Sequence, residues 1–307
     1  MYKQENLLTR LRKDLKKHHI IYLIALPGML YYILYYYWPM LGISIAFKSF
    51  HAVDGIWNSP WVGIDHFHAF FDSYYFVRIL KNTIIISLYS IVFGFPAPII
   101  LALLLNEINK TFFKRIVQTV TYMPHFISIV VVSSMLIAFT QKDGLFNDII
   151  GLFGGTKDNW LLNSNWFRTI YVSSDIWQEL GWGSIIYLAA LAGIDNSLYE
   201  AARMDGASRW RQLWHITLPG LIPTIIILLI LRMGAVMNVG FEKIILLYSP
   251  ATYETADVIS TFVYRKGILE ANYSYATAIG LFNSFVNLGI LLAANKLSKK
   301  YTNSGLF

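Results

Sequence analysis

Five polar side chains stand in stretches of this chain that are otherwise apolar: Arg232, Asn238, Glu242, Asn283 and Asn287. A guanidinium among apolar residues is costly and normally faces a cavity or a partner. Arg232 therefore has two readings: it meets an anionic ligand, or it bridges to a carboxylate or to helix carbonyls of a neighbouring subunit. Asn283 and Asn287, four apart, share one helix face, where amides either join helices or bind hydroxyl groups. Asn238 and Glu242 have the same spacing, and Glu242 beside Lys243 reads as an ion pair at an interface. Asp175 and Glu179 are spaced for a proton relay or for a wetted helix end near Trp177 and Trp182. His125 follows Pro124 with no other ligand nearby, and a lone histidine is a poor metal candidate. Cysteine is absent, which excludes disulfides and thiolate sites. We assign no catalytic constellation, no metal and no bound cofactor.

These residues are carried by elements whose solvent is lipid. Of 307 residues, 56% are hydrophobic and 14% charged, against about one quarter charged in soluble domains. Residues 83–105 and 273–294 hold no Asp, Glu, Lys or Arg, and about 20 apolar residues suffice to cross the hydrocarbon. Hydropathy predicts six spans: 20–47, 83–105, 116–140, 169–194, 220–241 and 273–294. The expectation is an all-α membrane protein, one domain over 20–294, with a basic segment 1–19 ahead of it and a tail 295–307 behind.

Six spans place both termini on one side. Lys3, Arg10, Arg12, Lys13, Lys16 and Lys17 mark that side as cytoplasmic. The inner segments then carry 15 Lys and Arg in 67 residues and the outer loops nine in 94. The net charge of +7 thereby reads as cytoplasmic flanks rather than a nucleic-acid surface. The first apolar run is too long for a signal-peptide core and should stay as an anchor. Its aromatics, Tyr31 to Trp38, fit an interfacial belt or a surface on which sugars stack.

The inner segment 195–219 predicts two short helices. Ser197 followed by Glu200 fits a capping box, so the first should begin near Leu198. Gly206 permits the positive φ that ends it. Trp210, Leu213, Trp214 and Thr217 then recur at helical spacing, predicting a second helix along the membrane surface. Pro219 and Pro223 are placed to start the next span. Ala201 and Ala202 give the first helix a small-residue face, with Glu200 and Asp205 at its edges. Such a helix is either a docking element or an ordinary solvated loop helix.

The run Glu200-Ala201-Ala202, three residues, Gly206, nine residues, Ile216, one residue, Leu218-Pro219 resembles the EAA loop of binding-protein-dependent ABC importer permeases. Most of the chain is similar to the carbohydrate-importing branch, related to the larger membrane subunit of the maltose importer. Residues 121–128, 238–243 and 273–280 look like members that handle plant or algal polysaccharide fragments. Unlike the maltose subunit, the sequence has no large external insertion and one helix ahead of the common five-helix core.

The resemblance implies a type I importer architecture with a second, different permease chain and two ATP-binding subunits beneath. It also implies an extracytoplasmic solute-binding protein and an oligosaccharide substrate. On the ligand-binding reading of Arg232 the anion would be a uronate carboxylate of that sugar, and on the other reading Arg232 bridges to the second permease subunit. Glu200, Ala201, Ala202, Asp205 and Gly206 would couple to the ATPase. Arg232, Asn238, Glu242, Asn283 and Asn287 would line the path. ATP and Mg would belong to the partner, since no G-x-x-x-x-G-K-[ST] string occurs here and Gly154-Gly155-Thr156-Lys157 has the wrong order. The competing class is an ion-coupled secondary transporter built on Asp175, Glu179, Arg232 and Glu242. Against it stand the absence of a recognisable inverted repeat and the presence of the loop.

Overall fold

The computed structural model describes residues 13–302 and Gly305. Lys3, Arg10 and Arg12 of the predicted basic segment lie outside the described residues. Among the described residues no strand forms, and the one β-type contact is an isolated bridge between Lys48 and Trp61.

Among the described residues twelve helices from His19 onward organise the fold, single turns aside. They are α1 (His19–Phe47), α2 (Asp65–Phe71), α3 (Tyr75–Glu107), α4 (Thr111–Tyr122), α5 (Ile129–Thr140) and α6 (Leu145–Leu152). Then follow α7 (Ser164–Ala192), α8 (Asn196–Met204), α9 (Arg209–Gly234), α10 (Phe241–Leu247), α11 (Ile259–Tyr264) and α12 (Tyr273–Thr302). Among the described residues five stretches are long and apolar enough to cross a membrane: α1, α3, Ile129–Leu152, α9 and the Tyr273–Lys300 part of α12. The expected fourth span is α7, long enough at 29 residues but interrupted by Arg168, Asp175 and Glu179.

Two expected spans differ in form. The stretch 116–140 is not one helix: after a tight turn at Met123–Phe126, Ile127 and Ser128 are extended and α5 starts at Ile129. Pro124 lies in that turn, where its locked φ fits but its missing N–H interrupts a longer helix. The fifth span ends at Gly234 rather than near residue 241, and the chain unwinds before α10.

Three buried clusters hold the helices together. Ile86, Phe167, Tyr171 and Ile244 join α3, α7 and α10. Phe70, Ile79, Phe262 and Ile279 join α2, α3, α11 and α12. Ala102, Tyr187, Leu191 and Leu221 join α3, α7 and α9. Burying such a side chain gains about 1.5–3 kcal/mol in water; between helices in lipid, close packing and hydrogen bonds do more of that work. Gly181 shows how close the packing is. A Cβ on it would lie 2.0 Å from the Thr121 carbonyl oxygen of α4. By contrast the first part of α1, His19–Tyr32, has no buried residue within this chain, and the helix's tyrosines are exposed. A helix apolar on every side belongs against lipid or another chain.

Buried charge also ties elements together. Asp257 is fully buried and accepts from the Arg265 guanidinium at 2.7 Å, with Arg78 of α3 at 3.6 Å. Asn82 of α3 accepts from Arg168 of α7 at 2.8 Å and donates to the Asp257 carbonyl at 3.0 Å. This network fastens the segment ahead of α11 to α3 and α7.

Candidate functional site

The segment between α7 and α9 is built as a helix, a glycine corner and a second helix start. Asp195 caps α8: its carboxylate accepts from the Ser197 amide at 2.9 Å, which holds its carboxyl below the usual carboxylate range. The predicted Ser197–Glu200 box is therefore corrected. The helix begins two residues earlier, at Asn196, because Asp195 is extended and one residue better placed to receive a free amide. Gly206 does what the sequence predicts, at φ +73°, while Ala207 N–H reaches back to the Ala202 carbonyl at 2.8 Å. Glu200, Ala201 and Asp205 are exposed and Ala202 is half-buried.

The expected surface helix with a fresh start at Pro219 does not form. Ser208 caps α9, which runs unbroken from Arg209 through Pro219 and Pro223 to Gly234. A π-helical turn at Leu213–Thr217 makes this possible: Leu218 N–H bonds to the carbonyl five residues back, and Pro219 follows that widened turn. Trp210 and Trp214 remain exposed on its outer side.

The other end of α9 meets a polar interior. Arg232 and Asp175 both face a 180 Å³ cavity lined also by Ser87, Tyr171, Asn238 and Gly240. Both also face an adjoining 330 Å³ cavity to which Glu179 and Tyr187 contribute. A second π-helical turn, Ser90–Gly94, indents α3 here and puts Ser90 and Gly94 on these walls. Asp175 is the twelfth residue of α7, near its middle rather than at an outer end, because α7 starts at Ser164, ahead of the expected 169.

The sequence pairs Lys243 with the adjoining Glu242, and the structure corrects this. Adjacent residues on a helix do not face each other. Glu242 is exposed, whereas Lys243 is buried with its ammonium 3.8 Å from Asp175 and 5.5 Å from the centre of the Tyr171 ring. Glu179 accepts from His125 at 3.1 Å, and the His125 ring stacks on Trp182 with centroids 4.6 Å apart.

Asn238, Asn283 and Asn287 come together. Asn283 and Asn287 donate to the Asn238 side-chain carbonyl at 2.8 and 3.2 Å, and Asn287 accepts from the Met237 amide at 2.9 Å. Of the five path candidates, Arg232 and Asn238 share a cavity wall. Asn287 and Asn283 stand behind Asn238, and Glu242 stands apart. Asp175 and Lys243, on elements remote in sequence, complete the cluster. Only the cost of charges in an apolar chain pointed to them.

Residues 94–302 match the family model described as binding-protein-dependent transport system inner membrane component. The chain is 46% identical over 294 residues to the protein LplB of Bacillus subtilis (strain 168), covering 95% of this chain and 92% of that one. It is 45% identical over 299 residues to the polygalacturonan/rhamnogalacturonan transport system permease protein YteP of the same organism, covering 97% and 93%. A solved bacterial ABC transporter involved in import of the acidic polysaccharide alginate has a chain of 46% identity and TM-score 0.90, with 95% of this chain and 99% of that chain covered. A chain of the bacterial alginate ABC transporter in complex with an alginate pentasaccharide-bound periplasmic protein matches at 45% identity and TM-score 0.90, covering 97% and 100%.

Proposed function

The chain belongs to the binding-protein-dependent transport system inner membrane components, and from that premise we propose that it carries acidic oligosaccharides, built from uronate sugars, across the bacterial cytoplasmic membrane. It is a multi-pass permease subunit of a sugar ABC importer, of type I architecture. The observation that carries the acidic substrate is Arg232, whose guanidinium faces a polar cavity shared with Asn238. The permease relative named for polygalacturonan and the transporter named for alginate both handle uronate polymers, which agrees with that cation.

The reading extends to the assembly. A second permease chain completes the path, a solute-binding protein delivers the oligosaccharide, and two ATPase subunits dock below. The chain has no phosphate-cradling string of its own, which supports placing ATP and Mg on those partners. Both termini then lie in the cytoplasm with the 195–219 segment. Glu200 to Gly206 sits in an ATPase cleft, and closure of the ATPase pair tilts the helices between inward- and outward-facing forms.

The test is uptake into proteoliposomes holding the full complex. Arg232→Gln should lower ATP-driven uptake of trigalacturonate by about tenfold, the scale of one charge-assisted hydrogen bond. The same trisaccharide with its carboxylates reduced to alcohols should be little affected. Equal losses for both sugars overturn the acidic reading, and uptake driven by a proton gradient without ATP overturns the importer reading.

A further inference from the structure

Helix α8 is fastened to the π-helical turn of α9 by a chain of polar contacts that starts at the half-buried Tyr199. Tyr199 Oη lies 3.0 Å from Thr217 Oγ1. The Thr217 hydroxyl donates to the Gln212 carbonyl at 3.4 Å, and the Gln212 side chain donates to the Ala207 carbonyl at 2.8 Å. With Thr217 donating to Gln212, the tyrosine hydroxyl is the donor to Thr217. Thr217 is 3% exposed and Gln212 9%, so water competes poorly for these groups. The contacts close a ring: α8, the corner after Gly206, the first turn of α9, the end of the π turn, and back to α8.

That ring sits where a mechanical link is weakest. A π turn is a wide, less regular stretch of helix and is found often at functional sites. This one lies between the docking segment and the membrane part of α9. Left unsupported, it would absorb a push on α8 as local bending. Tyr199, Gln212 and Thr217 form part of the wall of a polar cleft of 770 Å³, with Glu107, Glu200, Arg203 and Arg209 on its other walls. Beyond the turn α9 is continuous to Arg232, roughly 22 Å away at 1.5 Å per residue.

We propose that Tyr199 and Thr217 are positioning residues for transport: their hydrogen bond spans the π turn and makes α8 and α9 move as one lever, so that displacement of the docking helix reaches the cavity at Arg232. This rests on the docking of Glu200 to Gly206 to the ATPase and adds to it the internal contact that transmits the motion.

The test uses the reconstituted complex with its ATPase and solute-binding protein, trigalacturonate as the probe, and uptake per ATP hydrolysed as the readout. Tyr199→Phe, which deletes one oxygen, should lower that ratio about fivefold, the scale of one hydrogen bond. Thr217→Val should do the same, Thr217→Ser should restore it, and Tyr199→Phe with Thr217→Val together should be no worse than either alone. The ATPase should co-purify with all of them as with the unmodified chain. Unchanged ratios in both single variants overturn the proposal, as do losses that multiply in the double variant, because independent packing defects add where one shared contact does not. If Thr217→Val fails to accumulate in the membrane, Tyr199→Phe decides alone. Docking has its own readout, co-purification of the ATPase with Glu200→Arg, so failure of docking and failure of transmission are told apart.

Discussion

The ammonium of Lys243 lies 3.8 Å from the carboxylate of Asp175, and the two differ in surroundings: the lysine side chain is 3% exposed and the aspartate 34%. The lysine nitrogen has no hydrogen-bond partner. Its charge is thus compensated chiefly by one carboxylate that itself opens onto a cavity. Breaking a buried pair from one side costs about 3–5 kcal/mol because a charge is stranded. The two halves should therefore not be equivalent. Asp175→Asn strands a buried ammonium and should destabilise the chain towards that range. Lys243→Met leaves a carboxylate that already faces the cavity and should cost less, and the double variant should recover most of the Asp175→Asn loss. Thermal unfolding of the detergent-solubilised chain decides this, and equal losses from the two single changes would contradict it.

Gly206 stands at φ +73° with open space around the position where a Cβ would go. Its requirement is therefore conformational and not steric crowding. A left-handed residue costs roughly 1–2 kcal/mol for side chains other than glycine, least for asparagine and most for β-branched ones. Gly206→Asn should retain most uptake, Gly206→Ala less, and Gly206→Val should uncouple ATP hydrolysis from uptake while the chain still inserts. An order that followed side-chain size alone, with asparagine worse than alanine, would point to a steric contact with the ATPase.

Gly206 was legible because one residue type answers to one backbone region, and the spans because long apolar runs have one solvent. What sequence reasoning misplaced came from contacts it could not see. The Ser197–Glu200 spacing is a good local pattern, yet Asp195 was nearer the free amides and took the cap. Pro219 and Pro223 read as a helix start, but a π turn just before them let α9 continue. Glu242 adjoins Lys243 in the chain, while the helix turns the ammonium towards Asp175 on α7. Asn283 and Asn287 read from their spacing as amides on one helix face, and their meeting point, Asn238, needed the unwound end of α9 to reach them.

The cap on α8 carries a pH dependence. The Ser197 amide bond holds the folded Asp195 carboxyl below its ordinary value. A depressed folded value gives stability that is complete above the unfolded aspartate value, about 3.9, and lost as the pH falls through the folded one. Protection of the α8 amides, measured as exchange relative to the intrinsic rate at each pH, should therefore fall only at acid pH. Asp195→Asn keeps an acceptor that does not titrate and should remove the acid-dependent part. Asp195→Ala should quicken exchange of the first-turn amides several-fold at neutral pH. An acid-dependent loss of protection that survives in Asp195→Asn would assign the effect to another group.

Gly181 and Gly289 should respond oppositely to the same added methyl. On α7, a Cβ at Gly181 would lie 2.0 Å from the Thr121 oxygen and 2.8 Å from the Tyr122 nitrogen, both backbone atoms of α4 that cannot swing aside. On α12, a Cβ at Gly289 would meet nothing within 4 Å. Gly181→Ala must part α4 from α7, and overpacking of this kind costs about 1–3 kcal/mol or more. The parting also disturbs the neighbouring Trp182, on which His125 stacks, and Glu179, to which His125 bonds. Gly289→Ala removes only the backbone freedom of a helical glycine and should gain about 0.5–1 kcal/mol in the isolated chain. The unfolding midpoint should fall for the first and rise for the second. The stacked pair lies beside the cavity of Asp175 and Arg232, so Gly181→Ala should also lower uptake of an acidic oligosaccharide, whereas Gly289→Ala should not. A Gly181→Ala chain with unchanged midpoint and uptake would mean that α4 and α7 do not approach as closely as their glycine contact requires.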